Sequence, residues 1–366
     1  MPKHVVLGLV LLLLAPALAE ADGRDVFTVA AVPVDATAAN ANLAREQARA
    51  DGEKRAYAIM LDRLTLASDR ARLPAPTQER LNAIIGSFAV ANEHTSSVRY
   101  LARYTFKFRP EAVRKLLRDA GVPFADTPSK ALLVLPVTAG AGAPVLWDDP
   151  NPWRDAWNAH PPPAGLVPLA MPNGDLEDVQ AIDAAAAIKG DPAQIAAVSQ
   201  RYNGDDVLVA VATLDASVSP HTLAVAATRY AANGAAPPQS WSKTTTAAPD
   251  EGDAALFAAA VADTADAVED SWKQANILDF AHSASLVATI PTGDLQHFTD
   301  VRDRLVGVPA IQKSELLSID KTAARVEIHY VGDTDQLRTA LAQRDLALEG
   351  QDPDWILERR AASPPP

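Results

Sequence analysis

Three tryptophans stand close together in the run Trp147-Asp148-Asp149-Pro150-Asn151-Pro152-Trp153-Arg154-Asp155-Ala156-Trp157. Indole faces can stack on a sugar ring or a peptide, and a carboxylate such as Asp149 can accept bonds from the ligand's hydroxyls. If Pro152 opens a helix, Trp153 and Trp157 lie one turn apart on one face. The same spacing suits a helix that buries both indoles against a sheet. A ligand platform made of Trp147, Trp153, Trp157 and Asp149 therefore stands against an aromatic core. A second set is cationic. Arg99, Arg103 and Lys107, followed by Arg109, alternate with Tyr100, Ala102, Tyr104, Phe106 and Phe108. On a strand that alternation separates an aromatic core face from a cationic face. The cationic face could meet an anionic headgroup, an acidic partner, the acidic middle of this chain, or only solvent.

Other residues of chemical type are arranged less usefully. The carboxylate pairs Asp148/Asp149, Glu177/Asp178 and Asp205/Asp206 are adjacent in sequence, whereas glycoside cleavage needs two carboxyls facing each other across a sugar. Ser240-Trp241-Ser242-Lys243 has the Ser-x-x-Lys spacing of penicillin-recognising enzymes, but it reads as a strand, where the lysine does not return to the serine. No two of the seven histidines have metal-ligand spacing and there is no cysteine, so neither metal nor cofactor is expected.

These residues need positioning by three α/β (α+β) modules of mixed sheets. Residues 25–125 read as a strand (Val26–Val34), a long helix (Thr37–Leu66), a short helix capped by Thr77, two strands, and a helix from Pro110 ending at Gly121. The long helix shows an apolar face through Leu43, Ala50, Tyr57 and Leu64, with Arg45, Arg49, Glu53 and Asp62 opposite. Thr127-Pro128-Ser129 reads as a linker. Residues 129–280 start with the continuous apolar run Ala131–Val137, a strand buried on both faces. Further strands follow near Gly165–Ala170, Asp206–Leu214, Thr222–Tyr230 and Ser240–Thr246. Helices begin at Asp175 and Asp191-Pro192, and a long alanine-rich helix spans Asp250–Asn276. Residues 283–360 follow β-α-β-β-α-β order, a ferredoxin-like plan, with helices capped by Thr292-Gly293-Asp294 and Asp333. The tail, residues 361–366, is expected to be disordered.

Residues 1–19, Met1-Pro2-Lys3-His4 followed by the apolar Val5–Leu14, Pro16 and Ala17-Leu18-Ala19, have the pattern of a cleavable signal peptide. No cysteine follows for lipid attachment, and no later run reaches spanning length, so an exported chain starting at Glu20 with no transmembrane segment is expected. The formal charge is −13 overall and uneven: +2 over Glu20–Pro128, −12 over Ser129–Phe280 and −4 beyond. Acidity and export together argue against nucleic acid as a partner.

The chain resembles the proteobacterial secreted family that carries the name domain of unknown function 2066. The resemblance rests on Val26–Thr65, Leu132–Trp157, Ile195–Leu214 and Tyr330-Val331-Gly332 with Leu337 and Leu341. The middle module is similar to the N-terminal domain of the TolB translocation protein and to outer-membrane activators of peptidoglycan synthases. Where such modules carry Tyr-Gly-Ala-Asp, this chain has Tyr202-Asn203-Gly204-Asp205. The resemblance implies scaffolding or binding in the cell envelope and carries over no catalytic residues. The expectation is a non-enzymatic periplasmic protein that binds envelope proteins. A glycan-binding or glycan-modifying role for the tryptophan segment is the alternative, and a carrier for a small apolar ligand is the third.

Overall fold

The structure is a computed structural model that describes residues 25–140, 142–202, 206–231, 236–248, 252–278, 282–292 and 295–360. The signal peptide, the tail, the Asn203–Asp205 corner and the Gly293-Asp294 cap lie outside the described residues. The fold is α+β, with sheets of three, five and five strands.

The first sheet pairs β1 (Thr28–Thr37), β3 (Arg99–Phe108) and β2 (Ile85–Thr95) antiparallel in that order. Helix α1 (Ala41–Leu64) covers one face, and its N-terminus is capped by the Asn40 side chain, which accepts from Leu43 N. The heptad face predicted from sequence holds in its second half, where Tyr57 and Leu64 are buried, and is corrected in its first. Leu43 is exposed and Glu53 is buried, while the inward stripe runs Ala44, Ala48, Gly52, Ala56 and Met60. Small residues at i, i+4 let α1 sit close on β1: a Cβ at Gly52 would lie 2.9 Å from Val34 Cγ1. Helices α2 (Gln78–Ile84), capped by Thr77, and α3 (Pro110–Asp119) close the end of the sheet.

The second sheet has order β5-β4-β6-β7-β8, with β4 (Leu132–Ala139), β5 (Leu169–Ala170) and β6 (Asp206–Asp215) parallel, and β7 (Thr222–Ala231) and β8 (Gln239–Thr246) added antiparallel. Of the strand predicted over Gly165–Ala170 only the last two residues pair. Helices α4 (Pro152–Ala159) and α8 (Asp253–Asn276) lie on one face. Helices α6 (Ala184–Lys189) and α7 (Pro192–Arg201) lie on the other, with α5 (Leu176–Ala181) beside α7. β4 is buried on both faces, as its unbroken apolar run requires.

The third sheet has order β10-β11-β9-β13-β12, built from β9 (Ser283–Pro291), β10 (Ile311–Ile319), β11 (Ala323–Val331), β12 (Leu346–Gln351) and β13 (Asp354–Arg359). Helices α9 (Leu295–Leu305) and α10 (Thr334–Ala342) complete it; Asp333 and Gln336 form a capping box on α10. The first three strands keep the ferredoxin-like order. The last position departs from it, because β12 turns back as a hairpin and β13 inserts beside β9, parallel to it.

One continuous cluster of buried apolar residues runs through all three sheets. The segment expected as a linker is packed, with Thr127 and Ser129 buried. The end of α8 is the hub. Trp272 Nε1 donates to Thr127 O, and buried Lys273 Nζ donates to Asp62 O and Thr65 O at the end of α1. Gln336 Nε2 donates to Ile277 O, and Lys130 N to Gln343 Oε1.

Candidate functional site

The tryptophan segment leaves β4 and enters α4 at Asn151. Its fully buried amide oxygen accepts from Thr138 Oγ1 at 2.7 Å and Arg154 N at 3.0 Å, which fixes the angle of the helix. Pro152 is the first helical residue, so Trp153 and Trp157 do share a face, and that face is inward. Trp153 is 0% exposed and Trp157 2%. Their rings meet edge to face at 5.5 Å, Phe257 of α8 packs on Trp153 at 6.1 Å, and Trp153 Nε1 donates to Ala210 O of β6 at 2.9 Å. Trp147 is half-buried on the opposite side, its Nε1 donating to Ile182 O. Asp149 is exposed and ion-paired with Arg154. Of the expected ligand platform, Trp153 and Trp157 are corrected to core residues, because an indole buried between α8 and the sheet cannot stack on a ligand. A cleft between β7, β8 and α8, lined by Val225, Trp241, Lys243, Asp263 and Thr264, encloses about 250 Å³. That is below the ~300 Å³ at which small-molecule pockets begin, whereas a second cleft, lined by Phe27, Arg114, Asp126 and Arg344, reaches about 330 Å³.

The cationic set divides. Arg99, Arg103 and Lys107 project from the face of the first sheet that α1 does not cover. Arg99 forms a two-pronged pair with Asp35 across the β1–β3 ladder, with Nε–Oδ1 at 2.8 Å, and this holds the Asp35 carboxyl below its ordinary range. Lys107 Nζ lies 3.8 Å from Asp25. Arg103 is exposed, with its face occupied by the small side chains of neighbouring strands. Arg109 leaves the set and donates to the carbonyls of Asn82 and Ala83 at the end of α2. Ser240 and Lys243 lie on exposed β8, Ser240 against Thr228 and Lys243 paired with Asp263.

The buried charges were not singled out by sequence. Arg114 Nε donates to Asp126 Oδ2 at 2.6 Å, its guanidinium also reaches Glu111, and it lies over the Phe27 ring at 5.4 Å. Burial raises the Asp126 carboxyl, and Arg114 opposes that rise. Arg201 pairs with buried Asp178, whose Oδ2 also accepts from Tyr202 Oη and Gly174 N. Glu269 on α8 accepts from Leu166 N and Val167 N, with Arg63 nearby donating to Val26 O, Thr28 O and Ala164 O. A Cβ at Gly165 would displace the Glu269 carboxylate from these amides. Each cluster joins segments distant in sequence, so each is a fastening. Glu315, Glu327 and His329 present ligand atoms within 4.8 Å of one another across β10 and β11, a grouping that linear spacing cannot reveal, but the Lys313 ammonium already contacts Glu315.

Burial raises the Glu269 carboxyl above its ordinary value. The native protein then holds this proton when the unfolded chain has lost it, so stability from this group falls as pH rises from the ordinary glutamate value through the raised one. Replacing Glu269→Gln removes that slope. The stability advantage of wild type over the variant is expected to shrink from pH 4 to pH 7 in urea titrations. An advantage that grows with pH would show the carboxylate is favoured by its neighbours.

No protein-family model matches the chain, and no curated protein matches it. Among solved structures it is similar to lipoprotein GNA1162 from Neisseria meningitidis, at 18% identity over 39% of this chain and 99% of that chain, with a TM-score of 0.26. At that TM-score the likeness bears on neither fold nor role. Among the described residues no helix is long and apolar enough to cross a membrane.

Proposed function

We propose that the chain is an exported, non-enzymatic envelope protein that binds other proteins through the open strand edges of its fused modules. The observation that carries this reading is the placement of its uncovered apolar residues. Phe88 and Val90 of β2 are 47% and 37% exposed, although their register partners Phe106 and Tyr104 on the same face are buried. Leu316 and Ile319 of β10 are likewise half-exposed beside buried Val326 and Ala324. In the first sheet α1 packs on β1 and β3, and in the third sheet α9 packs on β9 and α10 on β12, so β2 and β10 are the edges with least helix cover. Exposed edges with apolar faces favour strand pairing with another chain.

The resemblance to the domain of unknown function 2066 family, and of the middle module to the TolB N-terminal domain, supports a binding role in the envelope, and the leader pattern supports export. The glycan reading loses its main support with the burial of Trp153 and Trp157.

The test uses a tagged full-length copy. Affinity capture after crosslinking in intact cells is expected to recover specific envelope proteins, while the purified protein neither sediments with peptidoglycan sacculi nor releases fragments from them. Binding to or cleavage of sacculi, with no protein recovered, would overturn the reading.

A further inference from the structure

The geometry points to one occupant for the β2 edge: an extended polypeptide segment in which apolar and acidic residues alternate. This rests on the protein-binding role proposed above and specifies the partner's chemistry.

The two edges of the first sheet are built differently. On the β1 side, α1 blocks pairing, because Arg55 donates to Pro33 O and Arg63 to Val26 O and Thr28 O. Pro33 and a bulge between Val29 and Val32 interrupt that strand further. On the β2 side, among the described residues, no side chain donates to an edge carbonyl, and the two register shifts, between Ile85 and Ser87 and between Ala91 and His94, only flank a regular stretch. From Ile85 to Asn92 it carries no charge and no proline, and Ser87–Ala91 pairs with β3 in unbroken register. Lysine, proline and bulges are what protect ordinary edges, so five regular residues without them form a template for an added strand.

The two faces specify what that strand should carry. On the α1 side, Phe88 and Val90 are half-exposed, and the exposed part adjoins the position of an added strand. Apolar side chains there would complete the layer over Tyr104 and Phe106. On the open side, Ser87, Ala89 and Ala91 stand opposite Lys107, Thr105 and Arg103. These β2 side chains are too short to screen the cations from a strand laid beside them. An added strand would lie about 9.5 Å from β3, two strand spacings, a gap that an arginine and a glutamate side chain can close together. Arg103 and Lys107 lack the tight pairing that holds Arg99 to Asp35, so acidic residues on this side find cations to meet. The segment Glu20–Pro128, at +2 in an otherwise acidic chain, has the same sense of charge. The bulge between Ala91 and His94, with Asn92 at φ 52°, ends the template.

The probe is a blocked peptide alternating valine and glutamate over seven residues, tested on the full chain by fluorescence anisotropy and hydrogen exchange. The glutamate peptide is expected to bind and to protect residues 87–91, and the matching valine–lysine peptide to bind at least tenfold more weakly. Arg103→Glu lies on the exposed face and should leave the fold intact while reversing the preference between the peptides. A Phe88→Ser variant should weaken both peptides. Equal binding of the two peptides, binding unaffected by Arg103→Glu, or no protection at 87–91 would overturn the proposal. So would protection of these residues that grows with protein concentration without peptide, because the occupant would then be a second copy. If crosslinking in cells recovers envelope proteins while these peptide tests fail, the specified occupant is wrong and the binding role stands.

Discussion

Replacing Arg114→Met is expected to destabilise the protein by about 3–5 kcal/mol, the cost of leaving one partner of a buried ion pair uncompensated. Asp126 is 1% exposed, and Arg114 supplies its side-chain hydrogen bond; the other carboxylate oxygen has no partner. The effect should depend on pH in a defined direction. Burial already raises the Asp126 carboxyl, and losing the guanidinium raises it further. Below the ordinary aspartate value both the folded and unfolded variant are protonated there, and the loss is small. Just past that value both folded proteins still keep the proton, so the loss grows only as pH rises through the raised wild-type value, where wild type ionises beside Arg114 and the variant cannot do so without cost. Pairing the change with Asp126→Leu should recover much of the stability, since an apolar pair can replace a buried ion pair of similar volume. Urea denaturation of wild type, single and double variants across pH 4–7 measures all three. A single variant as stable as wild type at pH 7 would mean that Asp126 is not ionised and that the pair does not fasten the inter-module segment to α3.

Trp153→Ala should be of comparable size, about 3–5 kcal/mol, because a large aromatic leaves a cavity that the sheet cannot fill. The ring is fully buried between Phe257, Trp157 and the sheet. A finer comparison separates packing from hydrogen bonding. Trp153→Phe and Trp157→Phe remove similar volume, but Trp153 Nε1 donates to Ala210 O while Trp157 Nε1 has no partner. Trp153→Phe is therefore expected to cost about 1 kcal/mol more. Equal losses would show that the Ala210 bond contributes nothing net. If Trp153→Ala were stable and merely weakened binding to a glycan, the indole would belong to a ligand site after all.

Much of this was legible in the sequence, and the reasons are local. Alternation from Arg99 to Phe108 fixed which side of β3 faces α1, and the run Leu132–Val137 marked a strand buried on both faces. Thr77, Asp175, Asp191 and Asp333 announced their helices as caps. The tryptophan pair was placed on one helix face, but spacing alone could not say which way that face turned. Features that arise only when distant segments meet were not readable. Glu269 and Lys273 look like solvated charges on an alanine-rich helix, yet Glu269 accepts from the Leu166 and Val167 amides and Lys273 donates to two carbonyls at the end of α1. Helix α1 is turned so that Gly52 meets Val34 and Leu43 is exposed, which the apolarity of Leu43 did not announce. The insertion of β13 beside β9 is a pairing choice that element order does not record. Ser87–Ala91 was visible as a strand. Its standing as an unguarded edge needed the strand order.

The function proposed above leaves recognition to bare strand edges, with Trp153 and Trp157 built into the core. Site-specific photocrosslinking in intact cells tests this most directly, with a benzophenone side chain placed at position 88 of β2 or at position 147 of the tryptophan segment. Adducts to other proteins at position 88, diminished by Arg103→Glu, with none at position 147, are the expected result. Glycan adducts at position 147 with no protein adducts at position 88 would contradict it.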